Sequence, residues 1–161
     1  MFRSFPKSSL DSILTIGQWH HTAITWNGSS AQIYVDGVAK TTTSAGSVTL
    51  GNANSTSAKI GRYSSSGGNY WSGLLSQIAI YTSALSSDDI LGIYNLGRRN
   101  ADLSVSYPTN LTGYWFLNPT HSSPDLTGSN KILDRSTNSN HGTQNGGVGF
   151  LGANDGTLLK Y

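Results

Sequence analysis

A chain of 161 residues with 36% apolar side chains is long enough to bury a core as one domain, and its +2 formal charge, from 10 basic and 8 acidic residues spread along the chain, offers no basic stripe for nucleic acid. The absence of cysteine removes disulfides, thiolate zinc sites and cysteine nucleophiles together. No apolar run approaches the roughly 18 residues of a membrane span, so no membrane insertion is expected, and Met1 to Ile16 lacks the continuous apolar centre of a signal peptide.

In chain order, Trp19 to Trp26 is rich in β-branched and aromatic residues and predicts a strand, closed by the turn formers Asn27-Gly28-Ser29-Ser30. Ala31, Ile33 and Val35 alternate with Gln32 and Tyr34, the period of a strand with one buried face. Asp36-Gly37 predicts a type I′ turn, which needs φ above zero at both central positions. Further strands are expected at Ser47 to Leu50, Ala58 to Arg62 and Gly73 to Thr82, each bounded by Gly, Ser or Asn. Thr41 to Ser57, Ser64 to Asn69 and Asn138 to Gly149 read as loops or sheet rims. Ser86-Ser87-Asp88-Asp89 fits a capping box with Asp in the fourth place, Ile90, Ile93, Tyr94 and, less squarely, Leu91 form an apolar stripe, and Gly97 is the expected C-terminal cap.

Catalytic chemistry finds little support. All eight acidic residues are aspartates, no strand carries two carboxylates at i and i+2, and Asp88-Asp89 is explained by its place at a helix start. No Gly-x-Ser-x-Gly elbow is present. His20 and His21, adjacent on a strand, face opposite ways and cannot chelate one metal; one of them is expected to pack inside with a ring nitrogen bonded to backbone.

Binding chemistry has more. Sugar rings stack their CH faces on Trp and Tyr while polar side chains at the edge meet the hydroxyls, which makes Tyr63, Asn69, Tyr70 and Trp71, beside the Gly/Ser loop, the candidate glycan platform. Trp19, Trp26 and Trp115 lie in predicted strands and are expected in the core. Asp134, Asn138 and Asn140 offer hard oxygens in one loop, a candidate calcium site, although Asx turns explain the same spacing.

Five segments carry a family resemblance: Gly17-Gln18-Trp19-His20-His21-Thr22-Ala23, Ile33-Tyr34-Val35-Asp36-Gly37, Ile60-Gly61-Arg62, Trp71-Ser72-Gly73 and Tyr81-Thr82-Ser83-Ala84-Leu85-Ser86. In this order they resemble the closing half of a laminin G-like, concanavalin A-like jelly roll of bacterial and phage type. Gly113-Tyr114-Trp115-Phe116-Leu117 and Leu133 to Thr143 resemble the opening strand and loop of the same family, here placed after the closing half.

The resemblance implies an all-β fold, an antiparallel two-sheet jelly-roll sandwich with one short helix. Residues 1–161 would form a single domain, with 1–97 closing-half-like, 98–112 a connector and 113–161 opening-half-like. The family's middle portion is not visible, which leaves a permuted domain, one completed by a neighbouring chain, or a partial domain followed by the start of another. The resemblance also favours His21 as the structural histidine and gives Trp71, before Ser72-Gly73, a core reading beside the glycan one. Glucanases of this fold use two glutamates and an aspartate, and this chain has no glutamate.

The functional expectation is a non-enzymatic structural or adhesive surface protein on a phage particle, as capsid decoration, tail or fibre. The alternative is a free carbohydrate-binding lectin of a bacterial surface or secreted protein, and a glycoside hydrolase comes third. No cofactor is required, with calcium the one metal the loop suggests. Expected partners are its own chain as a homo-oligomer such as a trimer, other virion or cell-surface proteins, and surface glycans.

Overall fold

A computed structural model of the chain describes residues 13–41, 58–62, 70–97, 101–117 and 131–143. Every strand pairing among them is antiparallel. β1 (Thr22–Trp26) and β2 (Ala31–Val35) pair from Thr22↔Val35 to Trp26↔Ala31. The Asn27 side chain holds their connection by accepting the amides of Ser29 and Ser30 at 3.0 and 2.9 Å. Asp36 and Gly37 then adopt φ of 52° and 76°, as a type I′ turn demands, and lead straight into β3 (Val38–Lys40).

The sheet order β1-β2-β3 makes β2 central. Its expected one-sided burial does not hold: Tyr34, at 7% exposure, is as buried as Ile33 at 7%, while Val35 is at 1%. A helix packs against the turn that follows β2. That helix comes so close that a Cβ on Gly37 would stand 2.8 Å from Leu91 Cδ1 and 3.3 Å from Leu91 Cα.

The middle of the chain departs from expectation. The strand expected over Gly73 to Thr82 shrinks to β4 (Ile78–Tyr81), because Gly73 at φ 149° and Gln77 at φ 51° interrupt the extended run. Ala58 to Arg62 forms no strand but one isolated bridge, Arg62↔Tyr70, since Gly61 turns the chain at φ 75°. The strand expected at Ser47 to Leu50 lies outside the described residues.

α1 (Ser87–Gly97) starts as its sequence predicts. The Asp89 amide donates to Ser86 Oγ at 3.1 Å and the Ser86 amide to Asp89 Oδ2 at 3.2 Å, a reciprocal capping box with Asp in the Glu place. Ile90 and Ile93 are buried, as the stripe requires, whereas Leu91, the residue placed less squarely in it, is exposed. Gly97 ends the helix without a left-handed φ. The end carbonyl of Leu96 is met instead by the Ala101 amide at 3.2 Å.

The connector contains a second helix, so the expectation of one is corrected. α2 (Leu103–Ser106) is capped by Asp102, whose carboxylate accepts the Ser104 amide at 2.9 Å. β5 (Leu111–Trp115) then pairs with β4, from Ile78↔Trp115 to Tyr81↔Leu111 with a bulge between Ile80 and Tyr81. β6 (Lys131–Ile132) and β7 (Gly142–Thr143) pair with each other, and a Trp115↔Asp134 bridge ties that segment to β5.

The main core cluster joins Ile93 of α1, Leu103 of α2, Leu111 and Tyr114 of β5, and Phe116, with Ala79, Tyr81, Leu85 and Tyr107 packed against it. Tyr114 and Phe116 meet edge to face at 6.1 Å, and each fully buried aromatic contributes roughly 1.5 to 3 kcal/mol through area removed from water. The other aromatics are corrected outward. Trp19 is 43% exposed and precedes β1, while Trp26 and Trp115 are half-buried. Trp115 lies across Gly113, where an added Cβ would stand 2.5 Å from its ring.

Two glycines separate backbone strain from steric fit. Gly28, at φ 99°, has open space where a Cβ would be, whereas Gly37 meets α1. Gly28→Ala is expected to cost about 1 kcal/mol and Gly37→Ala about 2 to 3 kcal/mol, read as a larger fall in the urea midpoint. Equal losses would mean that α1 does not press on the turn.

Candidate functional site

The surface richest in binding chemistry is a groove of about 620 Å³ bounded by Lys59, Arg62, Tyr70, Trp71, Leu75 and Ile78. Two backbone links hold its walls together: the Arg62↔Tyr70 bridge, and the Trp71 amide donating to the Gly61 carbonyl at 2.8 Å. Trp71 is 58% exposed and Tyr70 68%, so the core reading of Trp71 is overturned. The cause is Gly73: its missing Cβ would stand 3.1 Å from Trp71 Nε1, and the indole lies back on that backbone at the surface. The Arg62 guanidinium carbon sits 5.3 Å from the centroid of the Tyr70 ring, a cation-π pair that keeps a charge beside the aromatic wall.

Of the predicted platform, Tyr70 and Trp71 therefore share one groove, while Tyr63 and Asn69 lie outside the described residues. Lys59, Leu75 and Ile78 were not singled out from sequence as binding residues. The available signal was the pair of basic residues flanking Ile60-Gly61 in a chain where charged residues make up 11%.

Asp134, Asn138 and Asn140 do come together, around Thr112. Asp134, at 3% exposure, accepts the amides of Tyr114 at 2.8 Å and Ser136 at 2.9 Å on Oδ1. Its Oδ2 accepts Ser136 Oγ at 2.9 Å and the Asn140 amide at 2.7 Å. Four donors thus meet the roughly four lone-pair positions of one carboxylate. Asn138 and Asn140 both turn their amide NH₂ groups toward the Thr112 carbonyl, at 3.0 and 3.1 Å. Burial pushes the Asp134 carboxyl up, but these hydrogen bonds outweigh it and hold its pKa below the ordinary value. Beside it, Arg135 pairs with Asp102 at 2.8 Å and lies over Phe116 at 5.2 Å.

The histidines exchange their expected roles. His20, rather than His21, has the ring nitrogen bonded to backbone: its Nε2 accepts the Thr15 amide at 3.0 Å, which leaves Nδ1 as the protonated nitrogen facing Asp36 Oδ2 at 2.7 Å. Asp36 also accepts the His21 amide at 2.9 Å, and these bonds overcome the effect of burial to lower its pKa. The pair resembles a catalytic dyad, yet the nitrogen that would activate a nucleophile is occupied by an amide. His21 packs its ring 6.0 Å from Tyr94, its buried Nδ1 has no hydrogen-bond partner, and burial lowers its pKa against the pull of Asp36.

A second, more polar cavity of about 350 Å³ lies between Ser83 to Leu85 and Tyr107 to Asn110. There the Tyr81 hydroxyl donates to the Tyr107 carbonyl at 3.2 Å. Burial, with Tyr107 and Asp89 nearby, pushes its phenol up to about 12, so it remains a donor at neutral pH.

A family model described as the concanavalin A-like lectin/glucanases superfamily, of laminin G type, matches residues 6–91. The match spans more than half of the chain, and the protein belongs to this superfamily. It takes in β1 to β4 and the Lys59 to Trp71 groove and ends within α1. No curated protein and no solved structure matches the chain.

Asp36, Asp102 and Asp134 all have lowered pKa values, so at acid pH the unfolded chain binds more protons than the folded one. Their stabilisation is complete above the ordinary carboxylate pKa of about 3.9 and is lost as pH falls through the lower folded values. The urea midpoint is therefore expected to drop steeply below about pH 4. Asp134→Asn should cost about 2 to 4 kcal/mol at neutral pH and flatten that drop. An unchanged acid profile in the variant would mean that Asp134 is not a principal source of the pH dependence.

Proposed function

We propose that this protein is a non-enzymatic adhesive module whose Lys59 to Trp71 groove holds a saccharide, and that it serves as a surface component of a phage particle. The observation that carries the binding reading is the exposure of Tyr70 and Trp71 side by side in one groove. Two large aromatics facing water cost hydrophobic free energy, and a sugar's CH face restores it. The Trp71 backbone is tied to the Gly61 carbonyl through its amide and the indole lies against Gly73, which lowers the entropy lost on binding.

The non-catalytic reading is supported by how the carboxylates are used. Asp36 serves a turn, Asp89 a helix start, Asp102 a second helix start, and Asp134 a buried loop. None of these lies against the groove, and the chain has no glutamate to supply the acid and nucleophile of a retaining or inverting glycosidase. The complete chain is proposed to close as a two-sheet jelly roll, a reading supported by the antiparallel β1-β2-β3 sheet and by superfamily membership. Placement on a virion is supported by a chain rich in Gly, Asn, Ser and Thr that reads as a binding module.

Trp71→Ala is expected to weaken saccharide binding about ten-fold or more with no change in the unfolding midpoint, because the side chain is mostly in water. Calorimetric titration of glycan-array hits against both proteins checks this. Undiminished binding in the variant would place the saccharide elsewhere.

A protein contact is favoured by a separate observation. Among the described residues, β1 and β3 are edge strands, and they carry the exposed Ile24, at 60%, and Val38, at 56%. Open edges invite a partner strand, and a second copy is the simplest source. Light scattering should give an oligomeric mass that Ile24→Lys reduces to that of the monomer. A wild-type monomer would remove self-association from the proposal.

A further inference from the structure

The stretch leading into β1 carries an apolar side chain into water and is fastened by one imidazole. Thr15 to Gln18 forms a tight turn, closed by the Gln18 amide donating to the Thr15 carbonyl at 3.3 Å, with Gly17 at φ 82° in the third place, as a type II turn requires. Ile16 stands fully exposed at its tip. Among the described residues, the Thr15 amide donating to His20 Nε2 at 3.0 Å is the only hydrogen bond from this turn to the chain beyond it.

His20 itself is held from the other side. Its Nδ1–H donates to Asp36 Oδ2 at 2.7 Å, and Asp36 sits in the turn that packs on α1 through Gly37. The titratable groups around the ring, among the described residues, are that carboxylate and His21, next in the chain, whose own ring lies toward Tyr94 of α1. Asp36, with its pKa lowered, remains charged at mildly acid pH, and burial keeps His21 neutral further into acid than an ordinary imidazole.

A second proton on His20 has one place to go. Nδ1 already carries the proton it gives to Asp36, so the added proton takes Nε2 and turns it from acceptor to donor, facing the N–H of Thr15. The bond to Thr15 is then lost while the attraction to the Asp36 carboxylate grows. We propose that His20 is a proton-operated clasp: neutral, it pins the Thr15 to Gln18 turn and its exposed Ile16 to the β1-β2-β3 sheet, and charged, it releases that turn while its contact with Asp36 stays closed.

The test follows the full chain, labelled with the heavy nitrogen isotope, by NMR as pH is lowered from about 8 to about 5, the interval over which imidazoles take up charge. The coupling between the Thr15 amide nitrogen and His20 Nε2, which is transmitted only through their hydrogen bond, is expected at the upper pH and lost at the lower. Protection of the Thr15 amide from solvent exchange, corrected for the intrinsic effect of pH, should fall about two- to ten-fold. Relaxation at the Ile16 and Gly17 amides should report a gain in fast motion while Ile24 and Ile33 in the sheet keep theirs. These changes should share the midpoint of the His20 ring-nitrogen shifts. His20→Gln, whose amide oxygen can accept the Thr15 amide without titrating, should leave the turn equally ordered at both pH values.

Persistence of the coupling at the lower pH, or its absence at both, would overturn the clasp. A coupling that disappears with no change at Ile16 and Gly17 would do the same, since the bond would then not be what holds the turn. A midpoint away from that of the His20 ring, or an equal response in His20→Gln, would assign the pH dependence to another group and overturn the proposal.

Discussion

The ladder between β4 and β5 joins residues thirty or more positions apart, and the central core depends on it. Leu111 and Tyr114 belong to β5, Phe116 follows it, and Ala79 and Tyr81 of β4 pack against them. α1 and α2 close the same cluster with Ile93 and Leu103. The fit is tight: α1 carries Gly92 where Tyr107 approaches, and a Cβ there would collide with that hydroxyl. Residues from α1, α2 and β5 therefore share one apolar cluster.

Hydrogen-bonded carboxylates do for the loops what apolar side chains do for this interior. Asp134 draws four donors onto itself and so fixes the chain that follows β6 against β5. Asp102 starts α2 and binds Arg135, which links the connector to the Asp134 segment. Asp36 links the start of the β1 hairpin to its far turn through His20 and the His21 amide. Each carboxylate is charged because its donors stabilise that form more than burial penalises it. With these acids committed to structure, the described groove is left with cations and aromatic rings.

The groove in turn depends on backbone geometry more than on its side chains. Gly61 turns the chain so that Trp71 can reach its carbonyl, and Gly73 leaves room for the indole to lie flat at the surface. A bulkier residue at Gly73 would displace the ring. An aromatic platform held by backbone is already in its binding shape.

Several features were readable from the chain because they follow local rules. The Asp36-Gly37 turn follows from φ preference, the start of α1 from a side chain reaching three residues, and β1 and β2 from residue type and period. Tyr70 and Trp71 were legible as binding candidates, but not the exposure of Trp71, since the same residues suit a core strand until Gly73 is seen to hold the ring outside. The roles of His20 and His21 depended on which ring Thr15 reaches, a choice that strand alternation leaves open. The length of β4 depended on the left-handed Gln77, and α2 on four residues too few to show a period. The sequence by itself determined the Asp36-Gly37 turn, the capped start of α1 and the β1-β2 pair, because those energies are set within a few residues. Tertiary structure alone decided which polar groups are filled and which aromatics face water, because burial and hydrogen-bond satisfaction depend on partners far along the chain.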